Sequence, residues 1–258
     1  MNLESYIHER LNSHQILLMT HLVVGFPSLE ANWQMLEAMA EVGVDLVELQ
    51  MPFSEPVADG PLFVRANQKA LEQGLRLDHY FDFMHRATAV FGFPHLMMGY
   101  YNTVFRLGHE RFCARLQHSG GAGFILPDLP LEEYGDLFVL SEEHGLSPIL
   151  LMTPTTAPAR MAVIGQRARG LVYAVARKGV TGKKTELDQG LAGLIQGCRQ
   201  ATDRPLALGF GLRDGGDLRR LQGQVEVGIV GSALLERWEK DGLAGYRELL
   251  RELAGGRQ

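Results

Sequence analysis

The feature that most constrains the fold is a regular alternation of short apolar runs with longer amphipathic stretches. The runs are rich in Val, Ile and Leu and mostly continuous in hydrophobicity, as strands buried on both faces should be. They begin at Ile16, Val44, His95, Gly123, Pro148, Gly170, Pro205 and Val225. Eight strands, each followed by a helix, in 258 residues predict an α/β fold with one closed (β/α)8 barrel of the TIM type.

We expect residues 1–258 to form this single domain, with a short N-terminal helix before the first strand. An open doubly wound sheet is the alternative, but the glycine fingerprint that should follow its first strand is missing. Helices are predicted from Ser28, as a cap, to Glu41 and from Leu131 to His144. Several helices run into glycine before the next strand, which is typical of left-handed helix ends.

Charge and cysteine content exclude several classes of function. Twenty-five Lys and Arg against thirty Asp and Glu give a net charge of -5 with no basic block, so nucleic-acid binding is not expected. Cys113 and Cys198 lie in predicted helices, far from a second Cys or a His at ligand spacing, and suggest neither a metal nor a disulfide. The first residues lack the apolar stretch of a signal peptide, and no run approaches a membrane span. The expectation is a soluble, cytoplasmic protein.

The second unit carries a carboxylate inside an apolar strand. Glu48 lies near the carboxyl end of this strand, where barrels place their chemistry. Burial predicts a raised pKa that suits proton transfer near neutrality, although a structural pair with Lys or Arg is the alternative. The long loop that follows brings Asp59 toward the barrel mouth, so that two carboxylates could divide acid and base work. Asp59 could equally be a turn residue before Gly60.

Glycine-containing turns follow the last three strands. They are "KGVTG" from Lys178, "GFG" from Gly209, and Gly231 with Ser232. Loops in these positions often bind phosphate through backbone N–H groups, although the glycines could simply allow tight turns. His21 and His95 lie in apolar strands and read as core or pocket residues rather than as catalysts.

Motifs along the whole chain resemble those of the tryptophan synthase alpha subunit family, and they occur in the order expected for that family. They are "GFP" at Gly25, "VELQMPFSEPVADGP" at Val47, "YYN" at Tyr100, "LPDLPLEE" at Leu126, "GVTG" at Gly179, "GFG" at Gly209 and "VGSAL" at Val230. The resemblance covers nearly the whole chain. It implies a lyase that splits indole-3-glycerol phosphate into indole and glyceraldehyde 3-phosphate and passes indole to a beta subunit.

The same resemblance implies residue roles. Glu48 would be the acid and base, and Asp59 would interact with the indole N–H. The implied remaining residues are Gly182, Gly211, Gly231 and Ser232 for the substrate phosphate; His21, Met98, Tyr100, Tyr173 and Thr181 for the pocket; and Pro52, Glu55, Pro56 and Asn102 for the partner. The loops from Pro52 to Pro61 and from Arg177 to Leu187 would close over the site. No cofactor is expected in this chain, pyridoxal phosphate belonging to the beta partner of an alpha2beta2 heterotetramer.

Several positions depart from the family pattern, and they cluster around the pocket. In "YAVAR", Ala174 and Ala176 stand where a Tyr and a Ser hydroxyl are common, while strand alternation suggests that Tyr173 points to the other side. Other departures are Gln50 for Gly, Val23 for Thr, Glu55 for Asp and His21 for an apolar residue. They suggest a lyase that depends strongly on its partner.

Two other readings stay open at this point. One is a weakly active or inactive subunit that binds and regulates the beta chain. The other is a different phosphate-handling barrel enzyme, such as a sugar-phosphate isomerase or aldolase, although no Lys lies within a predicted strand to form a Schiff base.

Overall fold

The protein folds as a closed barrel of eight parallel strands, in a computed structural model that describes residues 2–176, 189–209 and 211–258. Each strand pairs with the next along the chain, and the last pairs with the first, which confirms the predicted fold class. The strands are β1 (Leu17–Val23), β2 (Leu46–Gln50), β3 (His95–Met98), β4 (Gly123–Ile125), β5 (Ser147–Met152), β6 (Val172–Val175), β7 (Leu206–Gly209) and β8 (Val227–Val230).

Helices surround the barrel and connect its strands. Those of the described residues are α1 (Leu3–Leu11), α2 (Leu29–Glu41), α3 (Pro61–Glu72), α4 (Leu77–Val90), α5 (Tyr101–Leu107), α6 (His109–His118), α7 (Leu137–Glu143), α8 (Pro158–Arg167), α9 (Gln189–Ala201), α10 (Gly215–Leu221) and α11 (Ser232–Gly255), with a 3-10 turn at Leu131–Glu133. None of these helices is long and apolar enough to cross a membrane.

Two apolar layers hold the barrel together. Successive residues of a strand point to opposite faces, so Leu17 and Met19 of β1 belong to the cluster inside the barrel, and Leu18 packs with the helices. Leu3 and Ile7 of α1 join the inner cluster and cover the barrel end at which β1 begins. Inward-facing residues later in each strand therefore line the opposite, carboxyl end of the barrel. The candidate site lies at that end.

The predicted helix from Ser28 to Glu41 is confirmed as α2. The Ser28 side chain accepts a hydrogen bond from the backbone N–H of Ala31, as an N-cap should. The prediction of one helix from Leu131 to His144 is wrong. Gly135 has a φ of 52° there, which interrupts the helix between the 3-10 turn and α7.

The amino-terminal end of the barrel contains a buried charge cluster around Asp45, the residue before β2. One carboxylate oxygen accepts hydrogen bonds from Arg10 Nε at 2.9 Å and Nη2 at 2.7 Å. The other accepts from Leu18 N at 2.9 Å and from Arg257 Nη1 at 2.8 Å. Arg257 also donates to backbone carbonyls of Gly43 and Val42. This cluster joins α1, β1 and the C-terminal segment.

Candidate active site

A histidine and a glutamate face each other inside the carboxyl end of the barrel. The parallel register of β1 and β2 pairs His21 with Glu48. His21 comes two residues after Met19, and Glu48 two residues after Leu46. Because Met19 and Leu46 face inward, His21 and Glu48 do so too. His21 Nδ1 lies 2.6 Å from Glu48 Oε2, and both side chains are buried. Among the described residues the ionic partner of Glu48 is His21, not the Lys or Arg of the alternative prediction.

Gln50 extends this contact along β2. Its Oε1 lies 2.8 Å from His21 Nε2, and its Nε2 donates to Asp59 Oδ2 at 2.6 Å. The chain of contacts therefore runs from Glu48 through His21 and Gln50 to Asp59. The two carboxylates that the sequence analysis selected are connected by side chains.

The loop after β2 presents Asp59 to the site. The hydroxyl of Tyr100 donates to Asp59 Oδ2 at 3.1 Å and accepts from the backbone N–H of Ala58 at 3.2 Å. Phe53 stacks on Tyr100, with ring centroids 5.2 Å apart, and its N–H donates to Asn67 of α3. These contacts keep the loop against the barrel, so Asp59 is a buried, multiply bonded carboxylate rather than a simple turn residue.

Their surroundings raise the pKa values of both Asp59 and His21. Burial raises the pKa of Asp59, and His21 together with the hydrogen bonds from Gln50 and Tyr100 only partly opposes this. Burial alone would lower the pKa of His21, but the hydrogen bond and charge of Glu48, the charge of Asp59 and the hydrogen bond of Gln50 together raise it above its ordinary value.

Glu48 has one oxygen that its neighbours do not use. Oε2 contacts His21, whereas Oε1 is buried and has no hydrogen-bond partner within the described part of the chain. An unpaired buried carboxylate oxygen is costly and rare in structural positions. Such an atom suits a site that a substrate hydroxyl completes.

The structure corrects the interpretation of Tyr173. Its side chain belongs to the inner cluster, as does Leu171, and Ala174 packs outward against the helices with Val172. The tyrosine of this strand is thus present and faces inward, so no inward hydroxyl has been replaced at Ala174. The inward-facing residues of β6 therefore lie one position earlier than the prediction from strand alternation.

Tyr173 is partly buried and lies close enough to both carboxylates to feel their charges. The charges of Glu48 and Asp59 add to the effect of burial in raising its pKa well above the ordinary value. Its ring also lies against Gly209, where a Cβ would approach the hydroxyl oxygen to 2.4 Å. Gly209, interpreted from the sequence as part of a phosphate turn, provides room for this ring.

The remaining pocket residues are distributed as follows. Met98 ends β3 inside the barrel and packs in the same inner cluster as Tyr100. Phe63 of α3 lies over His21, with ring centroids 4.7 Å apart. Thr181 and Gly182, with the whole predicted loop from Arg177 to Leu187, lie outside the described residues.

The other predicted phosphate residues follow two neighbouring strands. Gly211 comes after β7 with a φ of 78°, and Gly231 and Ser232 follow β8, with Ser232 beginning α11, which is interrupted at Gly242. Because Gly209 pairs with Ile229, these turns emerge side by side at the carboxyl end of the barrel. Backbone N–H groups at the start of α11 can bind an anion.

The predicted partner residues divide into two groups. Glu55 and Asn102 are exposed, whereas Pro52 and Pro56 are buried within the chain. Two apolar side chains near them are unusually exposed, Val57 at 72% and Phe105 at 68%. The sequence analysis did not select this apolar pair.

Sequence reasoning also missed the hydrogen-bonding role of Gln50 and the contribution of Asn67. Asn67 is fully buried on α3 between Phe63 and Ala70, donates to the Phe63 carbonyl and lies 3.5 Å from Asp59. The available signal was a polar residue on the apolar face of a helix. His95 is likewise buried, and burial lowers its pKa to about 4; its Nε2 has no partner among the described residues.

Comparison with known proteins identifies the family. A family model described as "Tryptophan synthase alpha chain" matches residues 8–254. The chain is 45% identical over 252 residues to the tryptophan synthase alpha chain of Desulforapulum autotrophicum, covering 98% of this chain and 100% of that protein. The alpha chain of Syntrophotalea carbinolica is 41% identical over 97% of this chain and 99% of its own length. This chain belongs to the tryptophan synthase alpha chain family.

The solved structures agree with this assignment. A chain in the structure of Mycobacterium tuberculosis tryptophan synthase superimposes with a TM-score of 0.92 at 33% identity, covering 99% of this chain and 97% of that chain. The family reaction is the lyase cleavage of indole-3-glycerol phosphate in tryptophan biosynthesis, and this chain is a lyase of that class. The family has no cofactor of its own and pairs with a beta subunit.

Proposed function

We propose that Glu48 and Asp59 carry out the retro-aldol cleavage of indole-3-glycerol phosphate in this chain. The observation that carries the assignment is the buried Oε1 of Glu48, which has no partner among the described residues and belongs to a carboxylate connected to Asp59. A substrate hydroxyl at Oε1 would complete its hydrogen bonding.

Glu48 performs two proton transfers in this proposal. Glu48 first gives a proton to indole C3. It then accepts the proton of the glycerol hydroxyl as the carbon–carbon bond breaks. The bonding electrons return to the ring, the hydroxyl carbon becomes the aldehyde carbon, and one proton has been exchanged for another.

Asp59 stabilises the charge that develops on the ring. Once C3 is protonated, the indole nitrogen becomes cationic and its N–H is a stronger donor. Asp59 Oδ2 receives the hydrogen bonds of Gln50 and Tyr100, and the proposal assigns Oδ1 to this N–H. His21, Met98, Tyr100 and Tyr173, with Thr181, surround the indole ring.

The turns after the last three strands bind the phosphate. Gly211, Gly231 and Ser232 provide adjacent backbone at the carboxyl end of β7 and β8, and Ser232 adds the N-terminal end of α11. Gly182 completes the set by sequence motif. The loop from Pro52 to Pro61 closes over the bound substrate.

The beta subunit contacts the same end of the barrel. Glu55 and Asn102 provide polar contacts, and exposed Val57 and Phe105 provide apolar ones, while Pro52 and Pro56 shape the loop from within. The complex is an alpha2beta2 heterotetramer in the cytoplasm, with pyridoxal phosphate in the beta chain. Indole passes from this chain to its partner.

The alternative of a weakly active regulatory subunit rested partly on Ala174. That support is removed, because Tyr173 is the residue of β6 that faces the carboxylates. Gln50 does not leave a gap beside Glu48 either, since it bonds to His21 and Asp59.

The test is indole release from indole-3-glycerol phosphate by the purified chain, with and without a beta subunit. We expect Glu48→Gln to lower turnover by ~10²–10⁴-fold, because the amide can neither accept nor return the proton. Asp59→Asn should also lower turnover, through loss of the charge opposite the indole nitrogen.

Asp78→Asn is the matched control, since Asp78 is an exposed acid that pairs with Arg115 on the surface. It should retain wild-type turnover. The beta subunit should raise the wild-type rate. Indole release at the wild-type rate by folded Glu48→Gln would contradict the assignment.

A further inference from the structure

His21 and Gln50 connect the two carboxylates through an unbroken path. The contacts are 2.6 Å from Glu48 Oε2 to His21 Nδ1, 2.8 Å from His21 Nε2 to Gln50 Oε1, and 2.6 Å from Gln50 Nε2 to Asp59 Oδ2. All four side chains lie at the same end of the barrel interior. The reaction proposed above uses only the two ends of this path.

The direction of each hydrogen bond follows from the chemistry of the groups. An ionised Asp59 accepts only, so the amide nitrogen of Gln50 faces it and the amide oxygen faces His21. His21 Nε2 must then carry a hydrogen. The remaining proton lies between His21 Nδ1 and Glu48, either on an imidazolium beside a carboxylate or on a carboxylic acid beside a neutral ring.

The surroundings of His21 contain no competing cation within the described residues. Phe63 lies beside the ring at an interplanar angle of 54°, and the Gly231 backbone approaches so closely that a Cβ there would lie 3.2 Å from the His21 Cβ. The titratable groups near the pair are Asp59 and Tyr173. The ring is thus held on both nitrogens by oxygen acceptors, with Phe63 and the Gly231 backbone packed beside it.

We propose that His21 and Gln50 are positioning residues that hold one shared proton against Glu48, with the tautomer of His21 set through Gln50 by Asp59. The inference rests on the proposed function, in which Glu48 exchanges protons with the substrate. The shared proton is the one delivered to indole C3, and Glu48 regains a proton from the glycerol hydroxyl. Because Asp59 orients Gln50 and Gln50 contacts His21, movement of the loop that carries Asp59 also affects His21, which shares the proton with Glu48.

The kinetic test compares pH profiles of indole release for wild type, His21→Phe, His21→Gln and Gln50→Leu, with exposed His8→Phe as the control. We expect His21→Phe to lower kcat by ~10–100-fold with a much smaller change in KM. The basic limb of the profile, which reports loss of the shared proton, should move to lower pH. His21→Gln keeps a hydrogen bond but cannot hold the proton, so it should shift the limb similarly.

Gln50→Leu separates the tautomer from the charge. It leaves the His21 contact with Glu48 but removes the acceptor at Nε2, so kcat should fall less than in His21→Phe. Retention of the wild-type kcat and pH profile by folded His21→Phe would overturn the proposal.

A second measurement does not depend on turnover. Nitrogen-15 NMR of histidine-labelled wild-type chain should show a ring with Nε2 protonated and Nδ1 sharing a proton with Glu48 near neutrality, a signal absent from His21→Phe and altered in Gln50→Leu. If wild type releases no indole, the proposed function fails while these spectra still decide the inference. A neutral His21 ring that is protonated on Nδ1 would contradict it.

Discussion

The two ends of the barrel treat a buried carboxylate in opposite ways. At the amino-terminal end, both oxygens of Asp45 are bonded, and two arginines neutralise the charge. At the carboxyl end, Glu48 faces only a histidine and keeps one oxygen without a partner among the described residues. The first arrangement is complete without a ligand, whereas the second leaves an acceptor oxygen that a ligand could bond. In the function proposed above, buried charge serves stability at one end and chemistry at the other.

The difference also lies in which parts of the chain each cluster connects. Arg10 and Arg257 come from near the two chain termini, so the Asp45 cluster fastens the ends of the molecule to the barrel. The Glu48 cluster joins β1 and β2 to the loop that presents Asp59. A rigid charge cluster suits the former position, and exchangeable protons suit the latter.

The largest expected effect on folding comes from Asp45→Asn. Loss of the carboxylate leaves buried Arg257 without a counter-charge, and breaking a buried pair costs about 3–5 kcal/mol. Urea unfolding measures the change in free energy. Asp78→Asn removes an exposed pair and should cost at most about 1 kcal/mol. Equal losses in the two variants would remove the distinction between structural and surface charge.

A third kind of buried ionisable group is His95, which has no counter-charge in the part of the chain that the structure describes, and it should make stability sensitive to acid. Its pKa is lowered by burial to about 4, so the unfolded chain binds more protons below the ordinary histidine value near 6.5. Stability from neutral His95 is present above that value and declines as pH falls toward 4, by roughly 3 kcal/mol.

Urea unfolding of wild type and His95→Leu from pH 7 to pH 4 measures this loss. The variant should lose less stability on acidification. Parallel pH dependence of the two proteins would show that His95 does not contribute.

The smallest expected effect comes from Tyr100→Phe, which weakens the cluster of Glu48 and Asp59 at the carboxyl end of the barrel without removing a charge. The hydroxyl bonds both Asp59 and the Ala58 backbone, so the loop loses two contacts. We expect turnover to fall about 10-fold and stability by about 1 kcal/mol. A loss of several kcal/mol in unfolding would show instead that this cluster is structural, as the Asp45 cluster is.

The barrel was predictable because it depends on patterns that repeat along the chain. Eight apolar runs, Ser28 as a cap and glycines at helix ends all have local physical causes, and the structure contains them. The helix predicted across Gly135 failed because one glycine adopts a left-handed conformation that apolar spacing does not reveal. Glu48 and Asp59 were selected because carboxylates are conspicuous in an apolar strand and a long loop.

The partners of these carboxylates were harder to predict. Whether His21 meets Glu48 depends on the register of β1 against β2, and whether Gln50 reaches Asp59 depends on how the loop folds back. The orientation of Tyr173 depends on which residue of β6 faces inward, and a shift by one residue reverses it. These are properties of register, which apolar runs of this kind do not specify.

The most direct test of the account is to measure unfolding free energy and indole release together for Asp45→Asn and Glu48→Gln, at a temperature where both variants remain folded. The account predicts that Asp45→Asn loses about 3–5 kcal/mol of stability and keeps most of its turnover. Glu48→Gln should lose ~100-fold or more in turnover and unfold at or above the wild-type urea concentration. A Glu48→Gln protein as unstable as Asp45→Asn, or a folded Asp45→Asn protein without turnover, would contradict it.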